Sequence, residues 1–435
     1  MKKTIIALLV FSLAICTLFT GCKQQVITIT SEITESDEAS VTSTDDVTST
    51  QDVTSDTTTS ADGGSEDDKS SSSQKPTSTP TFTPPTTSKE DTSVKFENTY
   101  KVADNKDAFK YTNRATMAPQ GIKFNTTADG VEFKVNCKGQ LAVNLTVDSL
   151  NTSAGFGMYF TVYLDGIRQQ TRHHVNQKGK VELLVAEGLS DGEHHVEIYR
   201  QTESKYGGDV YLTSVSCNGT LGSKPADRDV YIEFIGDSIT AGYGSVKDKV
   251  DMQVTTGDAP GIQDGTGTYA FLAAKRVNAD IAVVARTGIG VVKGYEPVLN
   301  GQKQTMAEVY DYFPDLTLQN KFTYTRTPDI YVINLGTNDL GNGVTAAQLE
   351  TGMKQLINKL LGNNPKAKIV LVGGMATSGV DNTINKIYSQ LGGENAGIYK
   401  LITKPSPNFH PNSVEHNEYS VQLTKVLQKA IAAIN

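Results

Sequence analysis

The sequence predicts two folded parts in series. An all-β sandwich of jelly-roll type is expected over residues 93–222, followed by a three-layer, flavodoxin-like α/β domain over residues 223–435. Three observations carry this reading. Between about 93 and 222, apolar residues alternate with polar ones in several short runs, the period-two pattern of half-buried strands. From about 223, apolar β-branched runs alternate with helical stretches, which implies a parallel sheet covered on both faces. The 435 residues exceed one ordinary domain, and hydrophobic residues make up only 37% because an upstream segment nearly lacks them.

Residues 1–22 read as a targeting segment. Lys2 and Lys3 form a positive start, and Ile5 to Phe19 is an apolar run too short to span a bilayer. The run ends Leu18-Phe19-Thr20-Gly21-Cys22, which resembles a bacterial lipoprotein signal, although Phe19 stands where leucine is usual. That resemblance implies lipidation of Cys22 and a membrane anchor, since two acyl chains hold stably where one does not. Residues 23–92 are Ser, Thr, Asp, Glu and Pro with Phe82 as their aromatic. Such a segment buries too little apolar surface to offset its ordering entropy and reads as a solvated tether, stiffer towards Pro84-Pro85.

In the β part, Val131, Phe133, Val135 and Cys137 alternate with Glu132, Lys134 and Asn136. Leu141 to Val147 and Met158 to Leu164 repeat the pattern, and further strands are predicted at 181–185, 196–199 and 210–217. Turns are expected at Asp165-Gly166, Asp191-Gly192 and Gly207-Gly208. Several short alternating strands at this spacing argue a sandwich. Cys137 and Cys217 both fall here; export permits a disulfide, but buried free thiols on two strands are the favoured expectation. The pairs His173-His174 and His194-His195 do not suggest metal, because neighbours on a strand point to opposite faces.

In the α/β part, strands are predicted at 230–235, 280–285, 329–335 and 368–372, with helices near 269–278, 305–313 and 346–361. The last helix carries Leu423, Val426, Leu427, Ala430, Ile431 and Ile434 as one apolar stripe. The net charge of −8 and the absence of a basic cluster argue against nucleic acid as a partner. Neither a phosphate-binding Gly-rich loop nor a metal-ligand spacing is present, so the reading assigns no cofactor and no metal.

The first predicted strand runs into Gly236-Asp237-Ser238. In open α/β sheets, ligands bind at the carboxyl ends of strands, so a hydroxyl there is a candidate nucleophile with backbone donors beside it. A bare Gly-Asp-Ser also suits a helix cap, and the other motifs decide between the two. Arg286-Thr287-Gly288-Ile289-Gly290 follows the second strand, Gly336-Thr337-Asn338-Asp339 the third, and Asn408-Phe409-His410-Pro411 precedes the last helix. Serine needs a base of near-neutral pKa, and the α/β part holds two histidines, His410 and His416. His410 lies in a loop before a helix, while His416 is expected on the surface. Backbone N–H groups of Ser238 and Gly288 and the amide of Asn338 are candidate oxyanion donors. No Gly-x-Ser-x-Gly elbow is present in the α/β part.

Gly236-Asp237-Ser238, Gly288, Gly336-Thr337-Asn338-Asp339 and His410-Pro411 resemble the four blocks of the SGNH, or GDSL-type, hydrolases over residues 228–435. With Asp191-Gly192-Glu193-His194 and Arg200-Gln201-Thr202-Glu203, the chain further resembles carbohydrate esterase family 2 over about 95–435. That resemblance implies a jelly roll joined to a serine esterase that deacetylates plant cell-wall polysaccharide, xylan or glucomannan, with a leaning to the 6-O position of hexoses. It makes Ser238 the nucleophile and His410 the base, with Tyr243, Tyr295 and Phe409 as candidate sugar contacts.

Three positions depart from the pattern. Asn408 replaces the usual Asp two residues before the histidine and supplies no negative charge to an imidazolium. Asn408 is thus at most a neutral orienter of the ring, and a Ser238–His410 dyad is expected, with Glu415 the nearby carboxylate. Phe409 stands where Trp is frequent, and Thr287 where Ser is common. The expected protein is a secreted, surface-anchored esterase on the outer face of a bacterial membrane, acting on an acetylated polysaccharide. The alternatives are an esterase for a lipid or peptidoglycan acetyl ester, and a non-catalytic glycan-binding surface protein.

Overall fold

Alternation in the first part and two-sided burial in the second place their strands as follows. The structure is a computed structural model that describes residues 96–150, 157–247, 259–295, 304–315 and 317–434. The targeting segment with Cys22, the tether and residues 248–258 lie outside the described residues.

The β part consists of Asn98–Lys101 (β1), Phe109–Thr112 (β2), Thr116–Ala118 (β3), Gly121–Phe124 (β4), Gly130–Val147 (β5), Met158–Leu164 (β6), Ile167–Arg168 (β7), His173–Val175 (β8), Gly179–Arg200 (β9) and Val210–Leu221 (β10). They pair antiparallel in the order β3-β4-β10-β5-β9-β6-β7, with β1 on β10, β2 on β5 and β8 on β6. The alternating apolar set, from Val131 through Leu145, is buried as its pattern requires. Asp165 (φ 52°) and Gly166 (φ 78°) make the tight hairpin turn expected of them.

Two expectations are corrected here. Residues 130–147 and 179–200 are each one continuous strand, not two. Asp191-Gly192 does not turn the chain: Gly192 pairs with Cys137, and the ladder absorbs register shifts near Gly139 instead. Bulges bend a strand without ending it, and they leave no period-breaking signal beyond a glycine. Cys137 and Cys217 are buried free thiols, and burial beside Cys137 pushes the Cys217 thiol up to about 11.

The second part is a parallel sheet of Tyr231–Gly236 (β11), Asp280–Ala285 (β12), Ile330–Asn334 (β13), Lys368–Gly373 (β14) and Ile398–Ile402 (β15), in the order β12-β11-β13-β14-β15. Its first strand in the chain sits second from the edge, the flavodoxin-like order. Burial alternates between two helical layers. Ile232, Phe234, Val332 and Val370 pack with the helices Tyr269–Arg276 and Ser413–Ala432, while Ile235, Ile333 and Leu371 pack with the helix Ala346–Asn363. β15 and the helix Asp381–Gln390 were not expected from the sequence. β15 is a half-buried edge strand of mixed character, and the helix buries only Thr383, Ile384 and Ile387.

The two parts share a core, in which Ala128, Tyr163 and Tyr199 pack with Phe271 and Ile281. Of the polar alternates of β5 and β9, Glu132 and Glu197 are buried at this seam. Arg228 bridges Glu132 (2.7 Å) and Asp280 (2.8 Å), and Lys110 reaches Asp280 at 2.6 Å. Deeper still, fully buried Arg114 pairs with Glu233 of β11 at 3.0 Å and stacks on Phe322, 4.1 Å from its ring centre.

Candidate active site

The parallel order reverses between β12, β11 and β13, so the loops leaving these three strands converge at one crevice. β11 ends at Gly236, where a Cβ would fall 2.0 Å from the Thr240 hydroxyl; only glycine lets the chain turn tightly there into the short helix Ser238–Ala241. Asp237 caps that helix, its carboxylate accepting from Ile239 N at 3.1 Å. Burial, with Asp339 nearby, pushes the Asp237 carboxyl up to about 7. Ser238 is 7% exposed, and its Oγ lies 2.8 Å from His410 Nε2.

His410 is carried by the loop between β15 and the helix Ser413–Ala432. Phe409 (φ 67°) turns this loop tightly, closed by His410 N donating to Asn408 O at 2.7 Å. Ser406 knits the loop: its Oγ donates to His410 O (3.3 Å) and Glu415 Oε2 (3.0 Å). Burial lowers the imidazole to about 4. The rings of Tyr243 (4.9 Å between centres) and Phe409 (5.4 Å) flank it.

Asn408 meets His410 through its backbone carbonyl; its side chain makes no hydrogen bond among the described residues, so the structure gives it no side-chain part in orienting the ring. Glu415 is turned away, closing a capping box with Asn412 N at 2.9 Å. Among the described residues His410 Nδ1 has no hydrogen-bond partner. His416, expected on the surface, is fully buried: its Nδ1 accepts from Tyr269 N at 3.1 Å.

On the opposite wall, the backbone N–H groups of Ser238 and Gly288 carry no hydrogen bond among the described residues. Gly288 has φ 82°, and its carbonyl accepts from Tyr295 N at 2.7 Å. Asn338 is buried beside them, but both its amide hydrogens have acceptors, Ile289 O at 2.8 Å and Asp237 Oδ2 at 3.3 Å. Tyr295 is 49% exposed, its hydroxyl donating to Gly341 O at 3.1 Å.

Two buried carboxylates that the sequence motifs contain, but to which the sequence assigned no role, shape this wall. Asp339 accepts from the successive amides of Val291 (2.9 Å), Val292 (2.6 Å) and Lys293 (2.9 Å). Glu203, from the end of the β part, accepts from Thr287 N at 3.0 Å. Asp339 is at least adjacent to Asn338 in its motif, whereas no periodicity marks Glu203 as buried. No cluster of metal-ligating side chains occurs among the described residues.

Residues 234–433 match the GDSL-like lipase/acylhydrolase family, and residues 112–225 match the carbohydrate esterase 2 N-terminal family. The chain thus carries a GDSL-like lipase/acylhydrolase domain preceded by a carbohydrate esterase 2 N-terminal domain. It is 29% identical over 226 residues to the cellulase/esterase CelE of Acetivibrio thermocellus, a match covering 52% of this chain and only 26% of that relative. It is 27% identical over 261 residues to the acetylxylan esterase/glucomannan deacetylase of Cellvibrio japonicus, covering 55% of this chain and 70% of the relative. A family two carbohydrate esterase from Clostridium thermocellum, solved with cellohexaose, shares the fold with a TM-score of 0.65 at 22% identity, over 75% of this chain and 99% of the other. Within the GDSL-like domain, the serine and histidine of the two outer sequence blocks are the pair in contact.

Proposed function

We propose that the chain is a serine esterase that removes O-acetyl groups from a plant cell-wall polysaccharide, xylan or glucomannan, held at the outer face of a bacterial membrane by a lipid on Cys22. The observation that carries the reading is the 2.8 Å contact between Ser238 Oγ and His410 Nε2 at the carboxyl end of β11. An imidazole lowered to about 4 is neutral at pH 7 and ready to accept a proton.

Ser238 attacks the acetyl carbonyl carbon as its proton passes to His410 Nε2. The oxyanion that forms is received by Ser238 N–H and Gly288 N–H, with Asn338 turning a hydrogen towards it. The tetrahedral carbon expels the sugar oxygen, which takes the proton back from His410 and leaves as the alcohol. Water, deprotonated by His410, then attacks the acetyl-Ser238 ester; acetate leaves and Ser238 recovers its proton. With Asn408 neutral, Ser238 and His410 work as a dyad. Tyr243 and Phe409, beside the imidazole, and Tyr295 across the wall offer faces on which a pyranose packs. The β part reads more finely as a jelly roll whose long, bent β5 and β9 serve both of its faces.

The unpartnered His410 Nδ1 favours one other reading, a site that binds glycan without turning it over. Acetate release from acetylated xylan and acetylated glucomannan separates the two, measured beside Ser238→Ala and His410→Ala. Release by the wild type that both substitutions abolish supports the esterase. Polysaccharide binding without release of any acetyl ester overturns it. Palmitate labelling that persists in Cys22→Ser would remove the anchor.

A further inference from the structure

β9 ends at Arg200, and the chain runs on through Gln201 and Thr202 to Glu203 at the seam between the two parts. Fully buried Arg200 shapes this run, its Nε donating to Thr202 O (2.8 Å) and its Nη2 to Glu203 O (3.3 Å). Gln201 O accepts Gly265 N at 2.8 Å, which ties the run to the α/β part. Glu203 is 1% exposed, and Gln263 grips it twice: Glu203 N donates to Gln263 Oε1 (2.9 Å) and Gln263 Nε2 to Glu203 Oε1 (3.1 Å). The rest of the carboxylate is given to one residue. Thr287 N donates to Oε2 at 3.0 Å, and the Thr287 hydroxyl donates to Oε1.

Burying a carboxylate is costly, and an apolar residue of similar size would fill the seam at least as stably. The charge therefore calls for a reason in its placement. Thr287 immediately precedes Gly288, whose φ of 82° leaves the intervening peptide plane little intrinsic restraint. Gly288 O is fixed by Tyr295 N, and residues 291–293 are fixed by Asp339. On the upstream side the one charged anchor among the described residues is Glu203.

We infer that Glu203, delivered by the β part, is a positioning residue of the esterase site: it holds Thr287 so that the Gly288 N–H points at the developing oxyanion. This rests on the esterase reading. It makes the β part a working piece of the catalytic unit, because the donor wall is completed from the other fold.

The test compares Glu203→Ala, Glu203→Gln and Thr287→Val in the full chain, by turnover of 4-nitrophenyl acetate and by hydrogen exchange of the 286–295 segment. Removing an oxyanion donor costs about 10²–10³ in kcat, and misplacing one costs less. Glu203→Ala is expected to lower kcat about 10–100-fold with KM within about threefold, and to speed exchange in the half of the segment around Thr287 while residues 291–293 stay protected. Glu203→Gln keeps a carbonyl oxygen for Thr287 N and is expected to recover most of kcat. If Glu203→Ala does not fold, Thr287→Val decides, with a fall in kcat of several-fold expected. Wild-type kcat in the folded variants, or unchanged exchange around Thr287, overturns the inference while leaving the esterase standing. A wild type that cleaves no ester removes the esterase reading, and the catalytic part of this inference with it.

Discussion

Asn338 gives one amide hydrogen to Ile289 O at 2.8 Å and the other to Asp237 Oδ2 at 3.3 Å. The first bond is short and fixes the side chain against the Gly288 loop. The second is long, and its acceptor is a carboxyl that burial favours in the neutral form. The hydrogen aimed at Asp237 is thus the one released most cheaply to a developing oxyanion. Asn338→Ala is expected to lower kcat by about 10²–10³ with KM little changed, the signature of an interaction made in the transition state. Steady-state kinetics on an aryl acetate check this; a rise in KM at constant kcat would instead make Asn338 a ground-state contact.

The acid limb of activity reports His410. A general base must be neutral, and burial lowers this imidazole to about 4. Activity should therefore hold as pH falls through 6.5, where an unperturbed histidine titrates, and be lost near pH 4. The check is kcat/KM against pH in assays brief enough to outrun acid unfolding. A limb at about 6.5 in the wild type would show that solvent, not burial, sets this histidine. A limb near 7 that disappears in Asp237→Asn would belong to Asp237.

What the sequence made legible, and what it hid, divides along the range of the interactions. The runs at 231–236, 280–285 and 330–334 are apolar on both faces, so strand type and helical covering could be read locally. The Ser238, Gly288 and Asn338 motifs follow those runs and His410 precedes the last helix, which is why Ser238 and His410 could be paired despite lying 172 residues apart. Glu203 stands in a quoted motif, but its role could not be found that way: its partner Thr287 lies 84 residues on, in another fold, and nothing local distinguishes a buried carboxylate from a solvated one. His416 was legible and misread. Counting back one heptad from Leu423 along the stripe of the last helix lands on it, and the stripe was stopped too soon. The long strands β5 and β9 hid behind glycines that serve as bulges where turns were expected.

The pair formed by Arg114 and Glu233 fastens the β part to the strand that delivers Ser238. Both side chains are fully buried, and the Glu233 carboxylate also accepts from the Tyr310 hydroxyl at 2.5 Å. Replacing Arg114 alone leaves an uncompensated buried charge, so Arg114→Met should cost about 3–5 kcal/mol. Replacing both, Arg114→Met with Glu233→Leu, should recover most of that loss, because the paired charges also bear a desolvation cost. Urea midpoints of the two variants decide it; equal destabilisation by single and double replacement would show that the guanidinium matters for its stacking on Phe322 and not for its charge.

His416 should make the fold sensitive to acid. Burial, with His410 nearby, lowers its imidazole to about 3, and Nε2 is buried without a hydrogen-bond partner among the described residues. The unfolded chain takes up this proton near pH 6.5, the folded chain only near 3. Between those values the unfolded state binds more protons, so the contribution is fully present above pH 6.5 and is lost progressively as pH falls towards 3. From pH 6.5 to 5 the loss from this one group approaches about 2 kcal/mol. His416→Gln keeps an acceptor for Tyr269 N and cannot titrate. It should start less stable at pH 7 through imperfect packing, yet lose less on acidification, so that urea midpoints plotted against pH for the two proteins converge. Parallel curves would mean that His416 takes up its proton alike in the folded and unfolded chains, and that the acid response comes from other groups.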